Sequence, residues 1–362
     1  MAAARALDRS FQSVVELTRR LWSHQLSSTA AFHFCDSRIH RLLTHTVPGG
    51  KRMRATLYLD AYASLQGPRA SPGKESISWP ENVVQMAWAM EVMQASFLVA
   101  DDLVDSSSTR RGSPAWHTLP DVGLCALNDA FILQQSLYML CEHAFPPHHT
   151  LNMQIRAALD EVVRDTLLGQ LLDSAGFENA KDRDAKSLRD LYSDVCRLKT
   201  SSYSFYAPIR LALITAQGSA ASPSSENVPH LLPDIKRICT RFGYLFQAKD
   251  DILDVFGDCG VTGKATTSSD ITEGKITWPF VTAWQDADES QRELLVNRYG
   301  KSDDASIAFV LDLYSSLNIH QKFADFEQRH TEEIDGLIDT LKVDALKSVM
   351  RPLLYSLIGR EK

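Results

Sequence analysis

Residues 80–105, PENVVQMAWAMEVMQASFLVADDLVD, decide the fold, because apolar side chains stand on nearly every side of the helix they would form. Such a helix has no broad polar face to turn towards water. It is therefore predicted to lie inside a bundle, surrounded by other helices. Pro80 suits the first turn of the helix, and three aspartates mark its carboxyl end.

The remaining sequence predicts more helices and almost nothing else. Apolar residues recur with helical spacing, and no alternating strand of convincing length occurs in the 362 residues. A second long helix is expected to begin near Pro233. Four stretches rich in Gly, Pro and Ser are predicted to be surface loops and not linkers: 67–80, 145–150, 218–229 and 257–270. We expect one all-α domain spanning residues 1–362.

Composition narrows the class of protein. With 44% hydrophobic residues the chain can bury a large core, while a net charge of −7 and the lack of a Lys/Arg run exclude a nucleic-acid-binding surface. The six cysteines form no C-x-x-C pair, which indicates reduced thiols in a cytoplasmic protein. No apolar run reaches membrane-spanning length. The Arg- and Ala-rich amino terminus faintly resembles a mitochondrial transit peptide, but its amphipathic spacing favours a first structural helix.

Two acidic clusters with the spacing D-D-x-x-D, beginning at Asp101 and Asp250, each end an apolar helical run. Residues four apart share one face of a helix, about 6 Å apart along its axis. Asp101 and Asp105 can therefore direct two carboxylates at one point, as can Asp250 and Asp254. Like charges at this spacing destabilise a helix unless a cation joins them, and Mg²⁺ is usual where carboxylates share it with substrate phosphates. The alternative for either cluster alone is a solvated acidic helix end.

Basic residues near these clusters predict a phosphate-bearing ligand. Arg110 and Arg111 follow the first cluster, and a guanidinium suits bidentate phosphate binding. Upstream, GGKRMR at 49–54 places three cations at the start of a helix, where they oppose the helix dipole. A bound diphosphate would reverse that penalty. Lys199 and Lys264, each judged singly, would be solvated surface charges.

The sequence resembles the isoprenyl diphosphate synthase family, and most closely its eukaryotic farnesyl diphosphate synthases. The stretches that carry this resemblance follow in order over most of the chain: GGKRMR, FLVADDLVDSSSTRRGSPAW, GQLLD, KTSSYSFYAP and GYLFQAKDDILDVFGD. It implies an isoprenoid synthase fold, a helical bundle around a central apolar cavity, usually as a homodimer. It also implies a prenyltransferase that joins isopentenyl diphosphate to dimethylallyl or geranyl diphosphate, with three Mg²⁺ ions per active site.

The resemblance also implies a role for each site residue. The metal-binding set would comprise Asp101, Asp105, Asp250, Asp251 and Asp254, of which Asp101, Asp105 and Asp250 hold Mg²⁺ and the other two, like Asp102, support them. The allylic diphosphate would be bound by Arg110, Lys199 and Lys264, and isopentenyl diphosphate by Lys51, Arg54, Gln94 and Arg111. Thr200 and Gln247 would lie beside the developing allylic cation, and Lys275 would help to close the site. The proton lost in the condensation would go to the departing diphosphate.

Three departures from the family pattern bear on the product. Ser96 and Phe97 stand where animal and fungal farnesyl synthases commonly carry two aromatic residues, so the tunnel for the growing chain can be deeper unless another side chain fills it. A longer product, geranylgeranyl diphosphate, is therefore an alternative. The loop after Lys264 reads ATTSSD and exceeds the usual G-T-D, and the chain ends GREK where relatives have a strongly basic tail.

Two rival functions belong to other classes. A terpene synthase would ionise a prenyl diphosphate without adding isopentenyl diphosphate, but it would not need the second diphosphate pocket of Lys51, Arg54, Gln94 and Arg111. A catalytically silent regulatory subunit would not need intact aspartates in both clusters. We expect the chain-elongating enzyme.

Overall fold

The computed structural model of the chain describes residues 2–24, 26–67, 79–177, 184–217, 228–257 and 268–358. The chain divides into two compact units. Unit 1 comprises Met1–Glu161 and Ala207–Leu232, and unit 2 comprises Val162–Tyr206 and Pro233–Lys362. The single domain expected over residues 1–362 stays a prediction.

Helices form nearly all of the described structure. In chain order they are α1 (Ala2–Ser23), α2 (Thr29–Thr46), α3 (Met53–Leu65), α4 (Glu81–Val104), α5 (Ala126–Ala144), α6 (Asn152–Ala175), α7 (Ala185–Val195), a π-helix (Cys196–Tyr206), α8 (Ala207–Thr215), α9 (Val228–Phe256), α10 (Ser269–Thr272), α11 (Trp278–Asp286), α12 (Glu289–Arg298), α13 (Asp304–Ser316), α14 (Ile319–Asp339) and α15 (Asp344–Ile358). Short 3₁₀ turns occupy Trp116–Thr118 and Gly123–Cys125. Within the described residues the only sheet pairs β1 (Thr109–Arg110) with β2 (Ser113–Pro114). The all-α prediction is confirmed.

Helix α4 is the centre of unit 1. It packs against α3, α5 and α1, and Met86, Trp88, Met90 and Met93 are each at most 1% exposed. The indole N–H of Trp88 donates to Ser10 Oγ on α1 at 2.9 Å. Because α4 is surrounded, it needs no polar face, as its sequence predicted.

Helix α4 is also, by length and composition, the one helix of the described residues that could cross a membrane. Of its most apolar 18-residue window, 78% is buried inside the protein. A buried core helix meets the same criteria, so this feature is weak evidence for a membrane span.

Unit 2 is built around aromatic side chains. Phe280 on α11 lies 4.9 Å from Phe177 and 4.4 Å from Tyr299, centroid to centroid. All three are at most 5% exposed. Aromatic pairs at these separations add to the stabilisation from burial alone. This core supports the segment before α11 that contacts the second acidic cluster.

Of the two predicted helix starts, the structure has one where it was expected. Pro80 immediately precedes α4, as expected. Helix α9 begins at Val228 and not near Pro233, which lies inside it. Pro233 is in the second turn, where its missing N–H costs a single backbone hydrogen bond. The loop at 145–150 separates α5 from α6, whereas most of the other three predicted loops lies outside the described residues.

Candidate active site

The first acidic cluster ends α4 in unit 1. The backbone N–H of Asp105 donates to Asp101 O at 2.9 Å, which closes the last helical turn. The side chain of Asp101 keeps 14% of its surface exposed, while that of Asp102 keeps 4%. Asp101 and Asp105 therefore share a face, and Asp102 points into the protein.

Asp102 holds Arg110. Its Oδ1 accepts hydrogen bonds from Arg110 Nε at 2.9 Å and from Arg110 Nη2, and Arg110 Nη2 lies 3.8 Å from Asp101 Oδ2. Burial raises the pKa of Asp102, and the Arg110 guanidinium opposes that rise. Burial lowers the pKa of Arg110, but its hydrogen bond to Asp102 and the nearby aspartate charges together outweigh burial, so the pKa is raised. The first cluster and the first predicted phosphate-binding arginine are thus joined.

Arg111 occupies the tip of the β1–β2 hairpin. Arg111 and Gly112 form a two-residue turn with φ of +54° and +75°, the left-handed conformation that such hairpin turns require. Glycine adopts this left-handed conformation readily, but for a residue with a side chain the conformation costs about 1 kcal/mol. The side chain of Arg111 donates from Nη1 to Pro48 O at 3.0 Å. The hairpin therefore fixes the directions of two adjacent arginines.

The glycine turn before α3 lies directly under Arg111. A Cβ atom on Gly50 would come within 2.7 Å of the guanidinium carbon of Arg111, so only glycine leaves room for that side chain. The structure thus brings Arg111 to the turn that carries Lys51 and leads to Arg54. Arg54 is 6% exposed, and Gln94 on α4 is 9% exposed.

A set of residues that the sequence did not predict packs against the β1–β2 hairpin. The indole N–H of the buried Trp116 donates to Asp129 at 2.7 Å, and Arg38 Nη2 donates to the same carboxylate at 2.6 Å. The guanidinium carbons of Arg38 and Arg41 lie 5.0 and 5.4 Å from the Trp116 ring centroid. His45 Nε2 contacts Pro114 O at 2.9 Å. The spacing of the three basic residues along one face of α2 was the signal available in the sequence.

A cavity of about 350 Å³ lies between this support and the arginines. Residues from α2, α4 and the hairpin line it, among them His45, Asp102, Arg110, Arg111 and Trp116. Its size is that of a small-molecule pocket.

The second acidic cluster ends α9 in unit 2, and its second aspartate, Asp251, is hydrogen-bonded to three groups of the protein. Asp251 is 3% exposed. It accepts hydrogen bonds from Tyr192 Oη at 2.7 Å, from the Trp278 backbone N–H at 2.8 Å and from Gln247 Nε2 at 2.9 Å. Burial raises the pKa of Asp251 despite these three donors. Asp251 therefore holds α7, α9 and the start of α11 together.

Asp254 is also engaged by the protein. Its two oxygens accept from Ser269 Oγ at 2.8 Å and from the backbone N–H of Asp270 at 3.0 Å. The same carboxylate therefore fixes the start of α10. Lys264 itself lies outside the described residues. Asp250, the first aspartate of the cluster, is only partly buried.

The π-helix places the predicted lysine–threonine pair beside α9. Thr200 Oγ1 donates to Gln247 Oε1 at 2.7 Å, and Gln247 Nε2 donates onward to Asp251. Lys199 Nζ lies 2.5 Å from Asp173 Oδ2 on α6. Three of the predicted residues, Thr200, Gln247 and Asp251, thus form one hydrogen-bonded chain.

Lys275 lies between α10 and α11. Its Nζ contacts Glu273 Oε2 at 2.9 Å, and its carbonyl accepts from Tyr299 Oη at 2.7 Å. This arrangement fixes the backbone of Lys275 against the aromatic core of unit 2.

The donor set of the first helix end suits a hard divalent cation. Two carboxylates one turn apart, Asp101 and Asp105, are the oxygen ligands that Mg²⁺ prefers, usually completed by substrate phosphates and water. In the portion of the chain that the structure describes, no three His, Cys, Asp or Glu residues are grouped to hold a metal ion by themselves.

Comparisons with known proteins identify the family. A family model described as Polyprenyl synthetase matches residues 36–316. Farnesyl pyrophosphate synthase 1 of Cannabis sativa is 33% identical over 343 residues, covering 93% of this chain and 95% of that protein. Farnesyl pyrophosphate synthase of Zea mays is 32% identical, with 93% of each chain covered. Farnesyl pyrophosphate synthase 1, mitochondrial, of Arabidopsis thaliana is 32% identical, covering 90% of this chain and 80% of that protein.

The fold comparison agrees. A solved structure of T. brucei farnesyl diphosphate synthase complexed with risedronate superimposes with a TM-score of 0.82 at 24% identity, covering 98% of this chain and all of that chain. The chain belongs to the polyprenyl synthetase family. The predicted isoprenoid synthase fold and the predicted prenyltransferase activity are confirmed.

Proposed function

We propose that this chain condenses isopentenyl diphosphate with dimethylallyl and geranyl diphosphate in a Mg²⁺-dependent reaction, and that farnesyl diphosphate is its product. The observation that carries the proposal is the hydrogen-bonded chain from Thr200 through Gln247 to Asp251. It couples the second acidic cluster to the residues expected beside the reacting carbon. The names of the relatives support the choice of product.

Roles are proposed for the charged residues of each diphosphate site. Asp101, Asp105 and Asp250 would hold Mg²⁺, while Asp102, Asp251 and Asp254 hold the surrounding structure in place. Arg110, Lys199 and Lys264 would bind the allylic diphosphate, and Lys51, Arg54, Gln94 and Arg111 isopentenyl diphosphate. When bound, Mg²⁺ would supply positive charge that stabilises the departing diphosphate.

The hydrogen-bonding direction at Thr200 suits a developing carbocation. The Thr200 hydroxyl gives its hydrogen to Gln247 Oε1, and Gln247 is kept in that orientation because its Nε2 donates to Asp251. The lone pairs of Thr200 Oγ1 are then available to a positive centre. Fixed dipoles of this kind stabilise developing charge without reorganising during the reaction.

The experiment is a product analysis. The purified chain is incubated with isopentenyl diphosphate, Mg²⁺ and each allylic diphosphate in turn, and products are identified by mass spectrometry. Diphosphates longer by five carbons, ending at fifteen carbons, are expected. Hydrocarbons or alcohols formed without isopentenyl diphosphate would indicate a terpene synthase, and the absence of turnover a regulatory subunit.

A second candidate product, geranylgeranyl diphosphate, rests on the small side chain at Ser96. Ser96 is 4% exposed, and its hydroxyl donates to Met93 O at 2.7 Å within α4, so the side chain is small and satisfied by its own helix. If the tunnel extends past Ser96, the wild type makes a twenty-carbon product and Ser96→Phe shortens it. An unchanged product distribution in Ser96→Phe would discard the deeper tunnel.

A homodimer is proposed for the assembled enzyme. Leu124, Leu127 and Phe131 are 82%, 52% and 60% exposed. Leu127 and Phe131 are four residues apart and share a face at the start of α5, and Leu124 lies in the 3₁₀ turn directly before it. A second copy of this chain would cover that apolar face. Light scattering should give twice the chain mass for the wild type and less for Phe131→Glu. A monomeric wild type would refute the proposal.

The cytoplasm is the proposed location. The cysteines of the described residues, Cys35, Cys125, Cys141, Cys196 and Cys239, are all free thiols, as is usual in a reducing compartment. The alternative location is the mitochondrion, because the Arabidopsis relative is named as mitochondrial. Imaging of the tagged full chain beside a mitochondrial marker distinguishes the two.

A further inference from the structure

Glu91 is a buried carboxylate in the middle of α4 to which sequence analysis assigned no role. It is 2% exposed. Its Oε1 accepts a hydrogen bond from the backbone N–H of Ala55 at 3.0 Å. Its Oε2 is buried and has no hydrogen-bond partner among the described residues. Burying a carboxylate costs free energy unless the carboxylate is paired or hydrogen-bonded.

The partner of Glu91 is the amino terminus of α3. This helix begins at Met53 without a capping side chain, because the Arg52 side chain at its N-cap accepts no hydrogen bond from the first turn. Arg52 also has a left-handed φ of +48°. The first N–H groups of a helix have no partner inside it. Glu91 therefore caps α3 from another helix, since it accepts the N–H of the third residue, the one normally satisfied by an N-cap side chain.

The capped turn is the one that carries the cations expected to bind isopentenyl diphosphate. Ala55 directly follows Arg54, which is itself buried, and Lys51 lies four residues before Ala55. Three basic residues at a helix amino terminus oppose the helix dipole. The Glu91 side chain accepts one of the N–H groups of this turn, so the turn is held in position by the protein itself.

Glu91 also lies in register with the site along α4. The positions 91, 94, 98, 101 and 105 recur at intervals of three and four residues, which places them on one face of a helix. That face carries Gln94 at one turn from Glu91 and Asp101 and Asp105 at the far end. One rigid helix thus fixes the α3 turn at a set distance from the first acidic cluster.

We propose that Glu91 is a positioning residue for the isopentenyl diphosphate site, acting through its hydrogen bond to Ala55 N–H. The inference rests on the proposed function, because it assigns Glu91 to the second diphosphate of that reaction. It acts on the α3 turn and not on the allylic site.

The test distinguishes the effect of losing this hydrogen bond from the effect of losing the charge and from a general loss of stability. Glu91→Leu removes the acceptor, while Glu91→Gln keeps an acceptor of the same shape and removes the charge. We expect Glu91→Leu to raise KM for isopentenyl diphosphate about tenfold, or about 1.4 kcal/mol, with KM for geranyl diphosphate unchanged within about twofold. Glu91→Gln should stay within about threefold of wild type for both substrates. Glu81→Gln, an exposed glutamate on the same helix, is the control and should match wild type.

A second measurement does not depend on turnover or on the Leu variant folding. Amide hydrogen exchange of the segment 49–56, with and without inorganic pyrophosphate, reports the order of the turn directly. Segment 49–56 should exchange as slowly in Glu91→Gln as in wild type and faster in Glu91→Leu. If Glu91→Leu does not fold, Glu91→Ala takes its place as the variant without an acceptor. Faster exchange of segment 49–56 in Glu91→Ala than in wild type then supports the inference, and equal exchange overturns it.

The outcomes also distinguish this inference from the proposed function. If wild type elongates geranyl diphosphate but Glu91→Leu keeps its KM, or raises both KM values equally, the inference fails and the function stands. If wild type does not elongate at all, the proposed function fails, and the exchange of segment 49–56 still decides whether Glu91 holds the turn.

Discussion

At the scale of single residues, the two adjacent aspartates of each cluster have different surroundings. Asp101 and Asp102 follow each other on α4, and consecutive side chains point about 100° apart around a helix. Asp102 is consequently turned into the protein and holds Arg110, while Asp101 stays at the more exposed face. Asp250 and Asp251 repeat the pattern, since Asp251 is saturated by three donors. One carboxylate of each pair thus fixes the geometry in which the other is presented.

A prediction at this scale concerns Gly50. Gly50→Ala would bring a Cβ within 2.7 Å of the Arg111 guanidinium carbon. Because that group is the flexible end of a side chain, Arg111 would move and the fold would stay, with a change in unfolding free energy below about 1 kcal/mol. Steady-state kinetics should show KM for isopentenyl diphosphate raised about tenfold.

The control for Gly50→Ala is a double-mutant cycle with Arg111→Ala. Once the Arg111 side chain is absent, Gly50→Ala should have little further effect on KM, since coupled residues are not additive. Full additivity of the two substitutions would show that Gly50 acts independently of Arg111.

At the scale of elements, unit 2 depends on a close approach of α6 to the π-helix. A Cβ on Gly169 would lie 2.1 Å from the backbone N of Lys199. Backbone atoms cannot rotate away, so Gly169→Ala should destabilise the protein by about 1–3 kcal/mol or more. It should also lower kcat, because Lys199 and Thr200 would shift with the π-helix. Denaturant unfolding and kinetics on the same sample measure both effects.

Gly336 on α14 provides the matched control for Gly169. It too is a helical glycine, but a Cβ there would meet nothing within 4 Å. Gly336→Ala should stabilise the protein by about 0.5–1 kcal/mol, because glycine is a poor helix former. Equal effects of the two substitutions would contradict the close approach.

A second element-scale prediction concerns pH and the contact of α14 with α9. His330 is 6% exposed, and its Nε2 contacts Arg241 O at 3.2 Å, with Glu333 at 3.7 Å. Burial lowers the pKa of His330 below its ordinary value of 6.5. As pH falls through that value, the unfolded chain takes up the proton before the folded protein does. The contribution of His330 to stability is therefore complete above pH 6.5 and is lost progressively below it.

The measurement is urea unfolding of wild type and His330→Gln between about pH 5 and pH 7. The unfolding free energy of wild type should fall more steeply below pH 6.5, by at most about 1.4 kcal/mol per pH unit for one proton. Parallel pH profiles of the two proteins would show that His330 takes up its proton equally in both states.

At the scale of the whole molecule, the two acidic clusters belong to different units, and the proposed function assigns Mg²⁺ ligands to both clusters. Asp101→Ala changes only unit 1 and Asp250→Ala only unit 2. Each should lower turnover by about 100-fold or more, because preorganised charge at the departing diphosphate is lost. Circular dichroism should show an intact helical fold in both. Asp312→Asn on the exposed side of α13 is the control, and near-wild-type rates in both cluster variants would refute the shared reaction.

The limits of sequence reasoning follow from particular residues. Lys199, Thr200 and Gln247 could be selected from the sequence because the resemblance to a family supplied their roles. The support of Arg38, Trp116 and Asp129 could not, since Arg38 and Asp129 are 91 positions apart along the chain. Glu91 was hidden for the same reason, because an isolated acidic residue in an apolar helix does not show what it contacts.

The sequence by itself determined the all-helical architecture and the chemistry available at the two helix ends. Helical spacing and residue type are local properties, and residues three or four apart meet on a helix whatever surrounds it. Only the tertiary structure decided which carboxylates are hydrogen-bonded within the protein. Arg110 donates to Asp102, Tyr192 and Trp278 donate to Asp251, and Ser269 donates to Asp254. The physical reason is that a D-D-x-x-D spacing sets the directions of its side chains, while the donors that meet them lie on other elements, from 8 residues away for Arg110 to 59 for Tyr192.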